Sequence, residues 1–174
     1  MENNKIQKTL LIVEDEPDII EILEHLLTPI CDKILTASNG VEALEVMKNV
    51  PEICAILSDV NMPKMNGLEL LTHIRASFNP IPFVILTGHG DASNYQNAVK
   101  LNATDFLEKP FEPQAVTEAL TRALDYGVQL IDSERKLDEL YRSSGISQEK
   151  LEEIKRAKRT VMAMRIESNI YKSK

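Results

Sequence analysis

Polar side chains that can carry out chemistry follow four short apolar segments of this 174-residue chain. They are Glu14 and Asp15 after residues 9–13, Asp59 after residues 53–58, Thr87 after residues 83–86, and Lys109 after residues 105–108. Carboxylates hold divalent cations through oxygen, and a carboxylate can also attack phosphorus to form an acyl phosphate. A hydroxyl and an ammonium group stabilise the charge of a transferred phosphoryl group. These residue types predict a phosphoryl-transfer site that contains a metal ion.

The alternation of apolar and amphipathic segments predicts the elements that position these side chains. Runs rich in Val, Ile and Leu predict strands at residues 9–13, 33–37, 53–58, 83–87 and 105–108. Helical patterns predict helices from residue 17 to before residue 29, at 41–48, 68–76 and 92–101, and from residue 113 onward. This order predicts an α/β fold with a doubly wound, five-stranded parallel sheet. Ligands of such sheets bind outside the carboxyl ends of the strands, where the polar side chains fall.

The acidic residues at this edge predict a magnesium site. Magnesium takes one or two protein carboxylates and keeps several waters, a need that Asp15 and Asp59 meet. Crowded carboxylates repel one another, which raises their pKa values unless a cation neutralises them. Alternatively, Glu14, Asp15 and Glu16 only stabilise the helix that follows them through its dipole. The metal site is favoured because Asp59 lies at the same edge.

Four motifs in this order resemble the receiver domain of response regulators in two-component signalling, in particular the chemotaxis-regulator type. They are Glu14-Asp15, Asp59 with the turn Met62-Pro63-Lys64-Met65-Asn66-Gly67, Thr87-Gly88, and Asp105-Phe106-Leu107-Glu108-Lys109-Pro110-Phe111. The resemblance covers residues 6–126 and implies a flavodoxin-like receiver fold. It also implies a protein that is not an enzyme beyond its own magnesium-dependent self-phosphorylation and self-dephosphorylation.

The resemblance implies a role for each matching residue around the phosphoryl group. Asp59 would accept the phosphoryl group from a sensor histidine kinase or a phosphotransfer protein. Asp15, Asp59 and the main-chain carbonyl of Asn61 would bind Mg²⁺ directly, while Glu14 would act largely through water. Lys109 would contact the phosphoryl oxygens.

Signal transmission would depend on a second set of residues. The resemblance implies that Thr87 moves its hydroxyl onto the phosphoryl group, with Phe106 following as an aromatic switch. The main-chain amides of Asn61 and Gly88 would also contact the phosphoryl oxygens. Since Pro110 restrains the residue before it, we expect an unusual peptide geometry between Lys109 and Pro110.

A stripe of residues at alternating steps of four and three continues the fifth helix past the sheet. Its members are Val116, Leu120, Ala123, Gly127, Leu130, Glu134, Leu137 and Tyr141. This spacing predicts a coiled-coil-like extension over residues 127–174, weakened at Gly127 and Glu134. A break is expected at residues 143–145, with Ser147 capping a further helix. That helix would place Ile154, Ala157, Val161 and Met164 on one stripe.

Charge and composition limit the cellular setting and the partners. Residues 1–153 carry 13 Lys and Arg against 26 Asp and Glu, a net charge of −13, whereas residues 154–174 carry seven against one, a net charge of +6. No apolar run approaches the roughly 20 residues of a membrane span. Cys31 and Cys54 lack metal-ligand spacing, so we expect reduced cysteines in a cytoplasmic protein.

Three functional hypotheses follow from these patterns. The favoured one is a phosphorylatable receiver that signals to a downstream protein through contacts, with its C-terminal helices available for a homodimer. A second is a dimerisation scaffold with a receiver fold and little phosphotransfer. The third is a nucleic-acid-binding regulator that uses the basic terminal helix, which is disfavoured because no base-reading motif stands out.

Overall fold

The structure, a computed structural model, describes residues 5–77, 79–88 and 92–157. Its centre is a parallel sheet of five strands in the order β2-β1-β3-β4-β5. The strands are β1 (Thr9–Val13), β2 (Lys33–Ala37), β3 (Ala55–Asp59), β4 (Phe83–Thr87) and β5 (Asp105–Glu108). Every residue of β1, β3 and β4 is buried, whereas β2 and β5 at the two edges are partly exposed. Continuous apolar runs in the three central strands suit a sheet covered on both faces.

Helices cover both faces of this sheet. They are α1 (Pro17–Leu27), α2 (Gly40–Asn49), α3 (Gly67–Ala76), α4 (Ala92–Lys100) and α5 (Pro113–Ser143), with a short 3-10 turn at Thr28–Ile30. Asn39 and Asn66 cap α2 and α3 through their side-chain oxygens. Asn102 has the left-handed conformation expected after the fourth helix, with φ of 56°. The α/β class and the doubly wound sheet predicted from sequence are confirmed.

Two apolar layers hold the helices to the sheet. On one face, Leu23 of α1 and Leu120 of α5 pack against Leu10, Ile12 and neighbouring residues. The second layer contains buried residues from β1 and β3 together with residues of α2, α3 and α4. Its helical members include Ala43, Leu70, Ile74 and Ala98. Both layers bury side chains from β1 and β3, so these strands are fixed from two sides.

The third strand begins and ends later than predicted. The sequence predicted residues 53–58, but β3 spans Ala55–Asp59 because Leu10 of β1 pairs with Ala55. At its other end, Asp59 pairs with Leu86 of β4. Asp59 is therefore part of the ladder, and its main chain is fixed by the sheet.

The first half of the α5 stripe packs on the sheet. Val116, Leu120, Ala123 and Gly127 are buried, and Val128 and Ile131 pack against the same layer. The stripe alone predicts that Gly127 weakens a coiled coil. The structure gives a different reason for it, since a Cβ there would lie 1.8 Å from the carbonyl oxygen of Cys54. The packing thus continues past residue 126, where the sequence predicted the end of the receiver part.

Beyond α5 the chain turns back on itself. Gly145 adopts φ of 71° at the predicted break, and residues 148–157 form a second helix, here called the return helix. Ser147 accepts a hydrogen bond from the Lys150 main-chain N–H at 3.4 Å, as a cap does. The return helix buries Leu151, whereas Ala157 is exposed, so its buried side differs from the predicted stripe. Val161, Met164 and the other residues after residue 157 lie outside the described residues.

None of the helices in the described part of the chain has the length and apolar character needed to cross a membrane.

Candidate functional site

The predicted site residues meet at the carboxyl edge of the sheet. Asp59 and Thr87 are the last residues of β3 and β4, and Glu14, Asp15 and Lys109 follow the ends of β1 and β5. Parallel pairing brings these strand ends to one side of the sheet. The site lies at the ends of β1 and β3, which are neighbours in the sheet although β2 comes between them in the sequence. This change in strand order is the switch point of a doubly wound sheet, where ligands bind.

Three carboxylates form a compact acidic cluster at this edge. Glu14, Asp15 and Asp59 each offer an oxygen, and these oxygens lie within 4.8 Å of one another. Glu14 is fully buried, Asp59 is 5% exposed, and Asp15 is open to solvent. An all-oxygen ligand set with one solvent-facing carboxylate suits Mg²⁺, which retains several waters. The residues present therefore fit a magnesium ion.

Lys109 supplies the positive charge inside the cluster. Its Nζ lies 2.7 Å from Oδ1 of Asp59 and 2.8 Å from Oε2 of Glu14. Its main-chain N–H donates to the carbonyl of Thr87 at 2.7 Å, which fixes the residue just past β5. The peptide bond from Lys109 to Pro110 is cis, which confirms the unusual geometry expected there. The ammonium is thus held between the candidate acceptor and its buried neighbour.

The balance of charge in the cluster favours a further cation. Burial raises the pKa of Glu14, and the nearby charge of Asp59 raises it further, against the lowering effect of Lys109. Burial lowers the pKa of Lys109, but its hydrogen bonds to Asp59 and Glu14 outweigh this effect and leave the pKa raised. Lys109 therefore stays charged, and one ammonium faces three carboxyl groups. A divalent cation would neutralise the remainder.

The loop after β3 fixes the Asp59 carboxylate and its main chain. The N–H of Asn61 donates to Oδ2 of Asp59 at 2.6 Å, and the hydroxyl of Ser58 donates to the Asp59 carbonyl at 2.9 Å. Gly67 lies so close that a Cβ would come 2.1 Å from the same carbonyl oxygen. The sequence pointed to Gly67 only as part of a turn. Its tight approach to Asp59 depends on the packing of α3, which spacing alone does not reveal.

The predicted switch residues lie on neighbouring strands. Thr87 is buried, and its hydroxyl donates to the carbonyl of Gly88 at 3.3 Å. Phe106 on β5 is half-buried against the layer formed by α2, α3 and α4. Its ring meets that of Tyr95 edge-to-face, with centroids 5.0 Å apart and an angle of 84° between the planes. Tyr95 was missed by the sequence reasoning because an aromatic residue on an exposed helix carries no motif.

The chain also resembles known proteins over this region. The model of the response regulator receiver domain matches residues 10–121. The chain belongs to that family. Receiver domains of this family are signalling modules that accept a phosphoryl group and interact with histidine kinases or phosphotransfer proteins. Receiver domains generally bind Mg²⁺ at an acidic pocket, and this chain has an acidic cluster formed by Glu14, Asp15 and Asp59.

Relatives and solved structures agree with this membership. The chemotaxis protein CheY homolog of Campylobacter jejuni is 33% identical over 121 residues, which cover 68% of this chain and 93% of that protein. The transcriptional regulatory protein FixJ of Bradyrhizobium diazoefficiens is 33% identical over 115 residues, or 66% of this chain and 56% of FixJ. A crystal structure of a receiver domain protein from Clostridium thermocellum is 31% identical, with a TM-score of 0.64, and covers 70% of this receiver chain and 98% of its own.

Proposed function

We propose that Asp59 of this response regulator accepts a phosphoryl group from the phosphohistidine of a sensor kinase or phosphotransfer protein. The observation that carries the proposal is the position of Lys109, whose ammonium lies 2.7 Å from the Asp59 carboxylate inside the acidic cluster. A carboxylate at a strand end, with a cation beside it, can form an acyl phosphate and have its added charge stabilised at once.

In this reaction an oxygen of Asp59 attacks phosphorus while the bond from phosphorus to the imidazole nitrogen breaks. The electron pair of that bond stays with the leaving imidazole, and the product is an aspartyl phosphate. Such transfers depend mainly on positioning and charge stabilisation. The Asn61 N–H donates to Oδ2 of Asp59 and thereby orients the carboxylate. The Lys109 ammonium, beside Oδ1, is near enough to contact the phosphoryl oxygens.

Mg²⁺ would be held by Asp15, Asp59 and the Asn61 carbonyl. Glu14 would support this site without binding the ion directly. When bound, the ion neutralises negative charge on the phosphoryl oxygens and the carboxylates. Glu14 is buried and hydrogen-bonded to Lys109, so its part is to hold the ammonium in place. The same set of residues would serve self-phosphorylation from small donors and self-dephosphorylation by water.

The signal would pass from the phosphoryl group through Thr87 and Phe106. The Thr87 hydroxyl now donates to a neighbouring carbonyl at 3.3 Å, a long contact that it can exchange for a phosphoryl oxygen. The amides of Asn61 and Gly88 would bind the same group. A movement of the Phe106 ring would then displace the ring of Tyr95, which is in contact with it.

The output would be a contact with a downstream protein in the cytoplasm, where the free cysteines Cys31 and Cys54 stay reduced. A homodimer through the C-terminal helices is a second candidate output. It is favoured by Leu140, a large apolar side chain that is 61% exposed near the end of α5.

Phosphorylation of the purified chain by acetyl phosphate tests this function. With Mg²⁺ present, we expect the wild-type chain to gain one phosphoryl group. The Asp15→Asn variant should be labelled at least about tenfold more slowly, because it loses a carboxylate ligand of the ion. Asp18→Asn, an exposed acidic position in the first turn of α1, is the matched control and should react as wild type. Equal rates in all three proteins would contradict the proposal.

A further inference from the structure

The turn between β2 and α2 forms hydrogen bonds with both loops that carry the proposed ligands of Mg²⁺. On one side, the carbonyl of Ala37 accepts a hydrogen bond at 3.0 Å from the main-chain N–H of Glu14. On the other side, the N–H of Gly40 donates to the carbonyl of Met65 at 3.0 Å. The turn therefore connects the loop that carries Asp15 with the loop after β3.

Side chains at the start of α2 hold this turn in place. Asn39 is buried, and its side-chain oxygen accepts a hydrogen bond from the Glu42 N–H at 3.1 Å. The carboxylate of Glu42 accepts a hydrogen bond from the Ser38 N–H at 2.7 Å. These contacts satisfy N–H groups at the start of the helix and so fix the position of Gly40.

The loop after β3 is held at both ends by the sheet and by α3. The N–H of Val60 donates to the carbonyl of Leu86 at 3.0 Å, and the N–H of Gly67 donates to the carbonyl of Val60 at 3.1 Å. Asn61, whose carbonyl is a proposed ligand of Mg²⁺, lies between these two anchored ends. The hydrogen bond from α2 to Met65 holds the same stretch of the loop from a third side.

The contact between α2 and this loop requires a residue without a side chain at position 40. Gly40 is buried, and a Cβ there would lie 2.6 Å from Cγ and 2.7 Å from Sδ of Met65. The φ of Gly40 is outside the left-handed region, so alanine can adopt this backbone and the requirement is one of space. Met65 itself packs against the apolar layer formed with α2, α3 and α4.

We propose that Gly40 and Met65 are positioning residues for the magnesium ligands. Their close packing sets the place of the Asn61 carbonyl relative to the Asp15 carboxylate, because the turn before α2 is bound to both loops. The inference rests on the proposed function, which assigns these two groups to the ion. Residues that touch the ligands of a metal rather than the metal commonly change its affinity by about 10–100-fold when they are substituted.

Titration of the unphosphorylated full chain with MgCl₂, followed by NMR amide shifts, tests this inference. We expect Gly40→Ala to raise the Kd for Mg²⁺ about tenfold, because the added methyl group overlaps the Met65 side chain and displaces the loop. Met65→Ala removes the overlapping atoms and should by itself weaken binding at least about threefold, because the loop loses its packing. Val41→Ala, at the exposed neighbouring position of α2, is the matched control and should bind Mg²⁺ as wild type does.

The double variant Gly40→Ala/Met65→Ala shows whether the two residues act through their mutual contact. Once Met65 is shortened, Gly40→Ala should change the Kd by less than about threefold, because the methyl group then has space. A wild-type Kd in either single variant would overturn the inference, and so would a tenfold effect of Gly40→Ala in both backgrounds. Urea unfolding of the same proteins provides a further criterion. Lower stability with unchanged Mg²⁺ affinity would assign Gly40 and Met65 a purely structural role.

Acetyl phosphate labelling of the wild-type chain keeps this inference separate from the proposed function. A wild-type chain that is phosphorylated, with unchanged Mg²⁺ affinity in Gly40→Ala, contradicts the positioning role alone. The expected pattern of Mg²⁺ affinities in a chain that takes up no phosphoryl group contradicts the proposed function alone. A wild-type chain that binds no Mg²⁺ would overturn the positioning role whatever its labelling.

Discussion

At the scale of single residues, the site depends on how Glu14 is neutralised. Glu14 is fully buried next to Asp59, and its main compensation is the hydrogen bond from Lys109 at 2.8 Å. Removing one partner of a buried charged pair costs more than the pair itself contributes. Glu14 and Lys109 should therefore be regarded as one unit that prepares Asp59 for reaction.

The raised pKa of Glu14 predicts a pH dependence of stability. A carboxyl whose pKa in the folded protein exceeds its ordinary value of 4.5 binds its proton more tightly when folded. Its contribution to stability is then largest below that value and is lost as pH rises through the folded pKa. Glu14→Gln removes the titrating group and keeps an acceptor for Lys109. We expect the free energy of unfolding of this variant, relative to wild type, to increase with pH over that window.

Urea unfolding between about pH 4 and pH 8 measures this difference. Glu21→Gln, at an exposed position of α1, is the control and should give no comparable rise. If the free energies of unfolding of wild type and Glu14→Gln change with pH in parallel, ionisation of Glu14 does not destabilise the folded protein.

The types and edge position of these residues were predictable, but their burial was not. Sequence reasoning brought Glu14, Asp15, Asp59, Thr87 and Lys109 to one sheet edge because each follows an apolar run. The resemblance to receiver domains implied that Glu14 acts through water. The structure buries Glu14 against Lys109, and such burial depends on how loops from several strands pack, which spacing along one chain does not specify.

At the scale of elements, α5 links the receiver core to the tail. Its early stripe is buried against the sheet, and Gly127 allows the helix to approach the Cys54 carbonyl. The step of four and three residues is shared by coiled coils and by helices packed on sheets. For this reason the pattern alone misassigned Gly127, and only the position of Cys54 distinguishes the two explanations.

Gly127→Ala tests this packing by the sign of its effect. In an open helix the substitution would stabilise by up to about 1 kcal/mol through helix propensity. Here we expect destabilisation by about 1–3 kcal/mol, because the added methyl group overlaps the Cys54 carbonyl. Chemical denaturation provides the measurement. Gln129→Ala, exposed on the same helix, should stay within about 0.5 kcal/mol of wild type. A stabilising Gly127→Ala would mean that α5 does not approach Cys54.

At the scale of the whole molecule, the two ends of the sheet differ in the side chains that they carry. The carboxyl edge carries the acidic cluster, and the amino end carries a groove lined by the loops before β3 and β4 and by α5. The body is acidic and the last 21 residues are basic. This asymmetry follows from the sequence, but the return of the chain along α5 required the ion pair of Lys155 and Asp138 to be seen.

The proposed homodimer through the C-terminal helices predicts a role for Leu140. We expect sedimentation equilibrium of the wild-type chain to show a mass that rises with concentration. Leu140→Glu should weaken the association at least about tenfold, because it places a charge in an apolar contact. Arg142→Ala, also exposed but on another side of α5, should associate as wild type. A wild-type chain that remains a monomer at every concentration would exclude this dimer.

Phosphorylation of Asp59 is tested most directly by identifying the residue that carries the phosphoryl group. After reaction with acetyl phosphate and Mg²⁺, borohydride reduces an acyl phosphate of aspartate to homoserine, which peptide mass spectrometry can locate. If Asp59 is the acceptor, homoserine will appear at position 59, and the Asp59→Asn variant will carry no label. Reduction at any other acidic residue, or labelling that persists in Asp59→Asn, would contradict this assignment.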